Sequence, residues 1–114
     1  MKELPIMPNL PEIDVDDLKA RLEAGEDFLL LDVREADEWH YCRIDGATHM
    51  PMSELPMRLA ELPRDKPIVC QCHHGMRSAQ VAQFLLEQGF AHVANLQGGI
   101  HAWSQYIDPA VPMY

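Results

Sequence analysis

Cys72 is the residue of this 114-residue chain best placed to do chemistry, as the first residue of Cys72-His73-His74-Gly75-Met76-Arg77-Ser78. The loop lies between an apolar run and a segment with helical periodicity. A cysteine at such a junction meets the unpaired N–H groups of the helix start and the positive end of the helix dipole. Both favour the thiolate, which is the nucleophilic form. Gly75 allows a turn that a Cβ obstructs, so successive N–H groups can face inward as an anion cradle. Arg77 adds a permanent cation whose planar fork of donors suits an anionic oxygen or sulfur group. The plain alternative is a buried, inert thiol ending a strand, and Gly75 and Arg77 are what weigh against it.

Cys70 stands two residues earlier, on the same side of an extended segment, where core packing competes with a role as resolving thiol. Packing is favoured, because an i, i+2 disulfide in extended chain lies near the limit of about 7 Å between Cα atoms. Cys42 reads as an incidental thiol. Cys70, Cys72, His73 and His74 are four potential ligands within five contiguous residues, too crowded to surround a tetrahedral ion, and no second Cys/His pair accompanies them. Neither metal nor cofactor is expected. His49, His92 and His101 read as single histidines in ordinary packing or hydrogen bonding. Met50, Met52 and Met57 read as core filling and Met76 as a residue of the pocket mouth, while Trp39 and Trp103 read as core.

Several elements must position the loop. Asp14 followed by Asp17 forms a capping pattern, with Ile13 and Leu18 as a staple and Val15, Leu18 and Leu22 on one helical face up to Gly25. Phe28 to Val33 is an apolar run broken only by Asp32, the pattern of a strand covered on both faces. A helical turn is expected over Arg34 to Tyr41 and a short strand over Gly46 to Met50. Ser53 is expected to cap a helix reaching about Leu62, stopped by Pro63. Pro67 to Gln71 is the next buried strand. Ser78 to Gln88 is a helix with Ala79, Ala82, Leu85 and Leu86 on one stripe and Gly89 at C′. His92 to Leu96 and Ile100 to Tyr106 make a last strand and helix. Alternating strands and helices predict an α/β fold with a mainly parallel sheet. In such sheets chemistry gathers beyond the carboxyl ends of the strands, here at Asp32-Val33-Arg34 and at the Cys72 loop.

The chain is long enough for one core and no more, divided as an extended arm over 1–11, a domain over 12–107 and a tail over 108–114. Nine basic residues against eighteen acidic ones give a net charge of −9, which disfavours nucleic acid and anionic membrane as partners. The acidic cluster Asp16, Asp17, Glu23, Glu26 and Asp27 reads as a solvated face, with docking of a basic partner as the alternative. Three irregularly spaced cysteines fit reduced thiols, and the chain has neither a membrane-length apolar run nor a signal-peptide pattern, so a cytoplasmic protein is expected.

The Cys72 loop resembles the catalytic loop of the rhodanese-like sulfurtransferases. Further signatures of that family stand in order: Leu31-Asp32-Val33-Arg34 with Glu38-Trp39, Ile44-Asp45-Gly46-Ala47 leading to Met50-Pro51, and Leu96-Gln97-Gly98-Gly99-Ile100 with Ala102-Trp103. The resemblance covers about residues 12 to 107. It implies a single domain with a five-stranded, mainly parallel sheet and helices on both faces. It also implies catalysis through a persulfide on Cys72, formed from a small anionic donor such as thiosulfate and passed to cyanide, a thiol or a sulfur-carrier protein. His73, His74, Gly75, Met76, Arg77 and Ser78 would hold the substrate, with Arg77 orienting the donor and His73 and His74 setting donor preference. Asp32 and Arg34 would support the loop. Cys42-Arg43 replaces the Gly-His often found before the isoleucine of the second motif. The tail from Ile107 to Pro112 looks like rhodanese domains that follow adenylylating enzymes.

Two other functions are weighed beside this one. Related loops with a cysteine and an arginine serve phosphatases and arsenate reductases, but only four residues separate Cys72 from Arg77, one fewer than in the cysteine phosphatases. By resemblance the shorter loop fits sulfur. A non-catalytic interaction module is the third reading, and the retained Cys72 and Arg77 count against it.

Overall fold

Alternate side chains of the central strands feed two separate apolar layers, one on each face of a sheet. The computed structural model describes residues 6–114, so the first five residues of the expected arm lie outside the described part. Its sheet has five strands: β1 (Glu12–Ile13), β2 (Leu29–Asp32), β3 (Thr48–His49), β4 (Ile68–Gln71) and β5 (Val93–Leu96). They lie in the order β1-β5-β4-β2-β3, and every pairing is parallel. Four α-helices connect them: α1 (Val15–Glu23), α2 (Ala36–Tyr41), α3 (Met76–Glu87) and α4 (Gly99–Tyr106), together with a 3-10 helix over Leu55–Glu61.

Leu31, Ile68, Cys70 and Val93 point to one face, where they meet Ala79, Ala82 and Leu85 of α3 and Leu55 of the 3-10 helix. Leu30, Val69 and Leu96 point to the other, against Val15 and Leu18 of α1 and Ile100 and Trp103 of α4. Burial on both faces explains why β2 and β4 read as continuous apolar runs rather than alternating ones. The Asp14 box forms as expected, with the Asp17 N–H donating to Asp14 Oδ1 at 2.8 Å and the Asp14 N–H to Asp17 Oδ2 at 3.2 Å.

The structure corrects four expectations. Ser53 does not cap a helix: the cap is Glu54, Pro56 enters the first turn, and Arg58 leaves helical geometry (φ −110°, ψ 15°), so a kinked 3-10 segment replaces the α-helix. Ser53 instead donates to Glu35 Oε2 at 3.2 Å. Met57 on that segment is 89% exposed and fills no core. Helix α3 starts two residues early, at Met76, because Gly75 serves as its cap. Finally, β1 is a strand where the sequence shows only the approach to a helix, since two residues are too few for a period to register.

Candidate active site

Register places the two polar strand ends side by side. Asp32 of β2 is paired with Gln71 of β4, and the Val33 N–H donates to the Gln71 carbonyl at 3.0 Å, so Arg34 and the Cys72 loop emerge next to each other at the carboxyl edge of the sheet. Cys72 is buried. The Gly75 N–H donates to its Sγ at 3.1 Å, and the Ser78 hydroxyl oxygen lies 3.3 Å from the same sulfur. Gly75 caps α3 with φ 110° and brings no side-chain acceptor. The first-turn N–H groups are therefore left for an anion at the sulfur rather than for a capping side chain.

Three groups hold this loop in shape. Asn95 of β5, buried, accepts from the Ser78 hydroxyl at 2.5 Å, and its Nδ2 donates to the Gly75 carbonyl at 3.1 Å and to Glu12 Oε2 at 3.0 Å. One amide thus ties strand, loop and helix. The start of α4 makes the second hold, with the Ile100 N–H donating to the Cys72 carbonyl at 2.9 Å and the His101 N–H to the His73 carbonyl at 3.0 Å. Such an approach requires Gly99, where a Cβ would stand 2.4 Å from the Cys72 oxygen and 2.6 Å from the His73 oxygen. The third is the sheet itself, which places Cys70 and Cys72 in one core layer. Burial, and then the neighbouring Cys72, pushes the Cys70 thiol up, which suits packing and not redox exchange.

Arg77 is tied to Glu38 by two short contacts, Nη1 to Oε1 at 2.7 Å and Nη2 to Oε2 at 2.9 Å. It shares an open cleft with Val33, Glu35, Met52 and Ser53. Glu38 also accepts from the Tyr114 hydroxyl at 2.8 Å. The Arg77 hydrogen bond, above all, lowers the Glu38 carboxyl from 4.5 to about 2, against an opposing effect of burial. A depressed folded-state pKa adds stability above the unfolded value and loses it as pH falls through the folded one. Urea midpoints should therefore fall between about pH 4.5 and about pH 2 in wild type, and that component should be missing in Glu38→Gln; parallel pH profiles would contradict the pairing.

Arg34 is fully buried with Asp32, to which it donates through Nε at 2.9 Å and Nη2 at 2.6 Å. Its remaining donors reach the Cys42 carbonyl at 2.7 Å and the Tyr114 hydroxyl oxygen at 2.9 Å. The phenol is raised to about 12, first by burial, and so keeps the proton it gives to Glu38. Tyr114 also stacks on His73, centroids 3.8 Å apart and planes within 3°. Segment 108–114 thus returns to the loop, with the Cys42 thiol donating to the Pro112 carbonyl at 3.6 Å.

Residues 14–106 match the rhodanese-like domain. The chain belongs to the rhodanese-like family. It is 41% identical over 100 residues to a sulfurtransferase of Allochromatium vinosum, covering 88% of this chain and 94% of that protein. It is 36% identical over 92 residues to the thiosulfate sulfurtransferase GlpE of Coxiella burnetii, covering 76% and 86%. A rhodanese-related protein of Thermoplasma volcanium superposes with a TM-score of 0.79 at 33% identity, over 91% of this chain and 99% of that one. The α/β fold with its five-stranded parallel sheet is the rhodanese fold.

Within this rhodanese-like domain the departure at Cys42-Arg43 leaves a defined local structure. Arg43 lies over the Trp39 ring at 4.4 Å, Trp39 stacks on His49 at 4.9 Å, and His49 Nε2 donates to the Arg34 carbonyl at 2.7 Å. Cys42 is no incidental thiol, since it is buried beside Arg34 and the tail. Trp39 is only half buried, so its role is this stack rather than the core. Met76 is 69% exposed at the start of α3. Asn95, Glu12 and Tyr114 were outside the expected site. None belongs to a local pattern, and the one signal available was a polar asparagine inside the apolar run of β5.

Proposed function

We propose that this chain is a sulfurtransferase that carries sulfane sulfur as a persulfide on Cys72. The Cys72 thiolate attacks the outer sulfur of thiosulfate, the sulfur–sulfur bond of the donor breaks, and sulfite leaves with the bonding electron pair. Cyanide or a thiolate, free or on a sulfur-carrier protein, then attacks the terminal sulfur of the Cys72 persulfide and the Cys72 thiolate departs. The observation that carries this reading is the Gly75 N–H donating to Cys72 Sγ at a helix start without a capping side chain, with the Ser78 hydroxyl against the same sulfur. A persulfide anion at that position would meet the same N–H groups of the Gly75 to Ser78 turn. Names among the relatives, sulfurtransferase and thiosulfate sulfurtransferase, support the reaction class and this donor.

The donor enters by the cleft beside Arg77, which Val33, Glu35, Met52 and Ser53 also line. Arg77 meets it by sharing its guanidinium between Glu38 and the anion, while Asp32 and Arg34 hold the neighbouring loop. His73 and His74, the next residues after the nucleophile, shape donor preference. The test is thiocyanate release from thiosulfate and cyanide, with the intact mass of the protein after donor alone. The expected result is a gain of one sulfur atom that cyanide removes. Absence of that adduct, or hydrolysis of a phenyl phosphate above the Cys72→Ser background, would overturn the proposal in favour of an inert module or of phosphatase chemistry.

A further inference from the structure

Three histidines from two separate segments come together at the rim of the loop. His73 and His74 follow the nucleophile, and His101 lies in the first turn of α4. Their ring centroids are 3.9 Å apart for His73 and His74, 4.7 Å for His74 and His101, and 6.1 Å for His73 and His101. One potential ligand nitrogen from each lies within 4.8 Å of the other two. Two ring nitrogens of the group, His73 Nε2 and His101 Nδ1, are buried without a hydrogen-bond partner. Buried polar atoms are nearly always paired, so two orphans in one cluster of imidazoles point to a missing common partner. No carboxylate belongs to the cluster, and three imidazoles together form a ligand set for a first-row divalent ion.

The structure assigns a three-imidazole site for a first-row divalent cation of the Zn²⁺ class to His73, His74 and His101. Tetrahedral Zn–N bonds of about 2.0–2.1 Å place ligand nitrogens about 3.4 Å apart. The cluster, with ligand atoms within 4.8 Å of one another, reaches that spacing by closing up to about 1.4 Å, within the range of side-chain rotation. Its frame is already fixed on two sides. The hydrogen bond from the His101 N–H to the His73 carbonyl locks α4 to the loop at 3.0 Å, and the Tyr114 ring stacked on His73 sets the plane of that imidazole. Three ligands leave a fourth position open, and His74 is exposed to solvent.

The site was hidden in the sequence because His73-His74 alone supply two adjacent ligands and His101 stands 27 residues beyond His74. It shares His73 and His74 with the sulfur-transfer loop but does not require that reading, and it is tested without turnover. Zn²⁺ is titrated into the full chain carrying Cys72→Ser, which removes the loop thiolate, in competition with a chromophoric chelator at neutral pH. The expected result is one equivalent bound, with affinity lowered about tenfold or more by His74→Gln and by His101→Gln separately. Co²⁺ in place of Zn²⁺ should give tetrahedral ligand-field bands without a thiolate charge-transfer band. His74 is exposed, so its variant decides the matter if His101→Gln fails to fold. Undiminished affinity in His74→Gln, or binding by wild type that disappears in Cys72→Ser, would overturn the assignment; the second outcome would place the ion on the thiolate.

Discussion

Cys72→Ser should abolish the persulfide and reduce thiocyanate formation by roughly three orders of magnitude or more, the scale on which loss of a nucleophile acts in other covalent enzymes. A serine hydroxyl is almost wholly protonated at neutral pH and forms no persulfide, while its oxygen can still accept from the Gly75 N–H that now meets the sulfur. The fold should therefore survive, and equal urea midpoints would show that the loss is chemical. Cys70→Ala supplies the comparison. That thiol is fully buried, and burial raises its pKa. Removing it costs a small cavity in the layer beneath α3 but leaves every contact of Cys72 Sγ in place. The persulfide mass should appear in Cys70→Ala and be absent from Cys72→Ser. An active, sulfur-loaded Cys72→Ser protein would mean that the nucleophile is elsewhere.

Gly99→Ala should be the most disruptive single methyl group in the molecule. Its φ of +58° already disfavours a side chain, at about 1–2 kcal/mol. The new Cβ would also lie 2.4 Å from the Cys72 carbonyl oxygen and 2.6 Å from that of His73. Both are main-chain atoms held by N–H groups of α4 and cannot rotate aside, so overpacking adds about 1–3 kcal/mol. The combined loss of about 2–5 kcal/mol is a large share of the stability of an ordinary domain. Gly46→Ala separates the two effects, because Gly46 also has positive φ, +87°, yet nothing lies within 4 Å of its Cβ position. Urea denaturation should show only the backbone part there, with sulfur transfer intact. In Gly99→Ala, specific activity of the folded fraction should fall as well, since relief of the clash pushes α4 away from the loop. Equal midpoints for the two variants would remove the close approach from the account.

The elements that were easiest to see in the sequence are those whose signal is local. The Asp14–Asp17 box, the apolar runs of β2 and β4, and the stripe of α3 each follow from a period or a cap contained in a few residues. The boundary of α3 was misplaced because Gly75 has no side chain with which to announce a cap, and Ser78, which looked like one, turns its hydroxyl to Cys72 and Asn95. The segment after Ser53 misled for the opposite reason. Its leucines carry helical spacing, but Pro56 and the kink at Arg58 keep it in 3-10 geometry.

What the sequence by itself determined is the chemical kind of the site. A cysteine between a strand and a helix, a glycine to turn the chain and an arginine five residues on are contiguous, and contiguity alone confines them to one loop. What only the tertiary structure decided is the company of that loop. Arg77 is held by Glu38, Asn95 braces Gly75 and Ser78, Tyr114 covers His73, and His101 joins His73 and His74. The partners in these contacts stand between 17 and 41 residues apart along the chain. They meet because β5 lies beside β4 in the sheet and the start of α4 docks on the carbonyls of Cys72 and His73. That docking depends on packing across the whole domain, and no local pattern of residues records it.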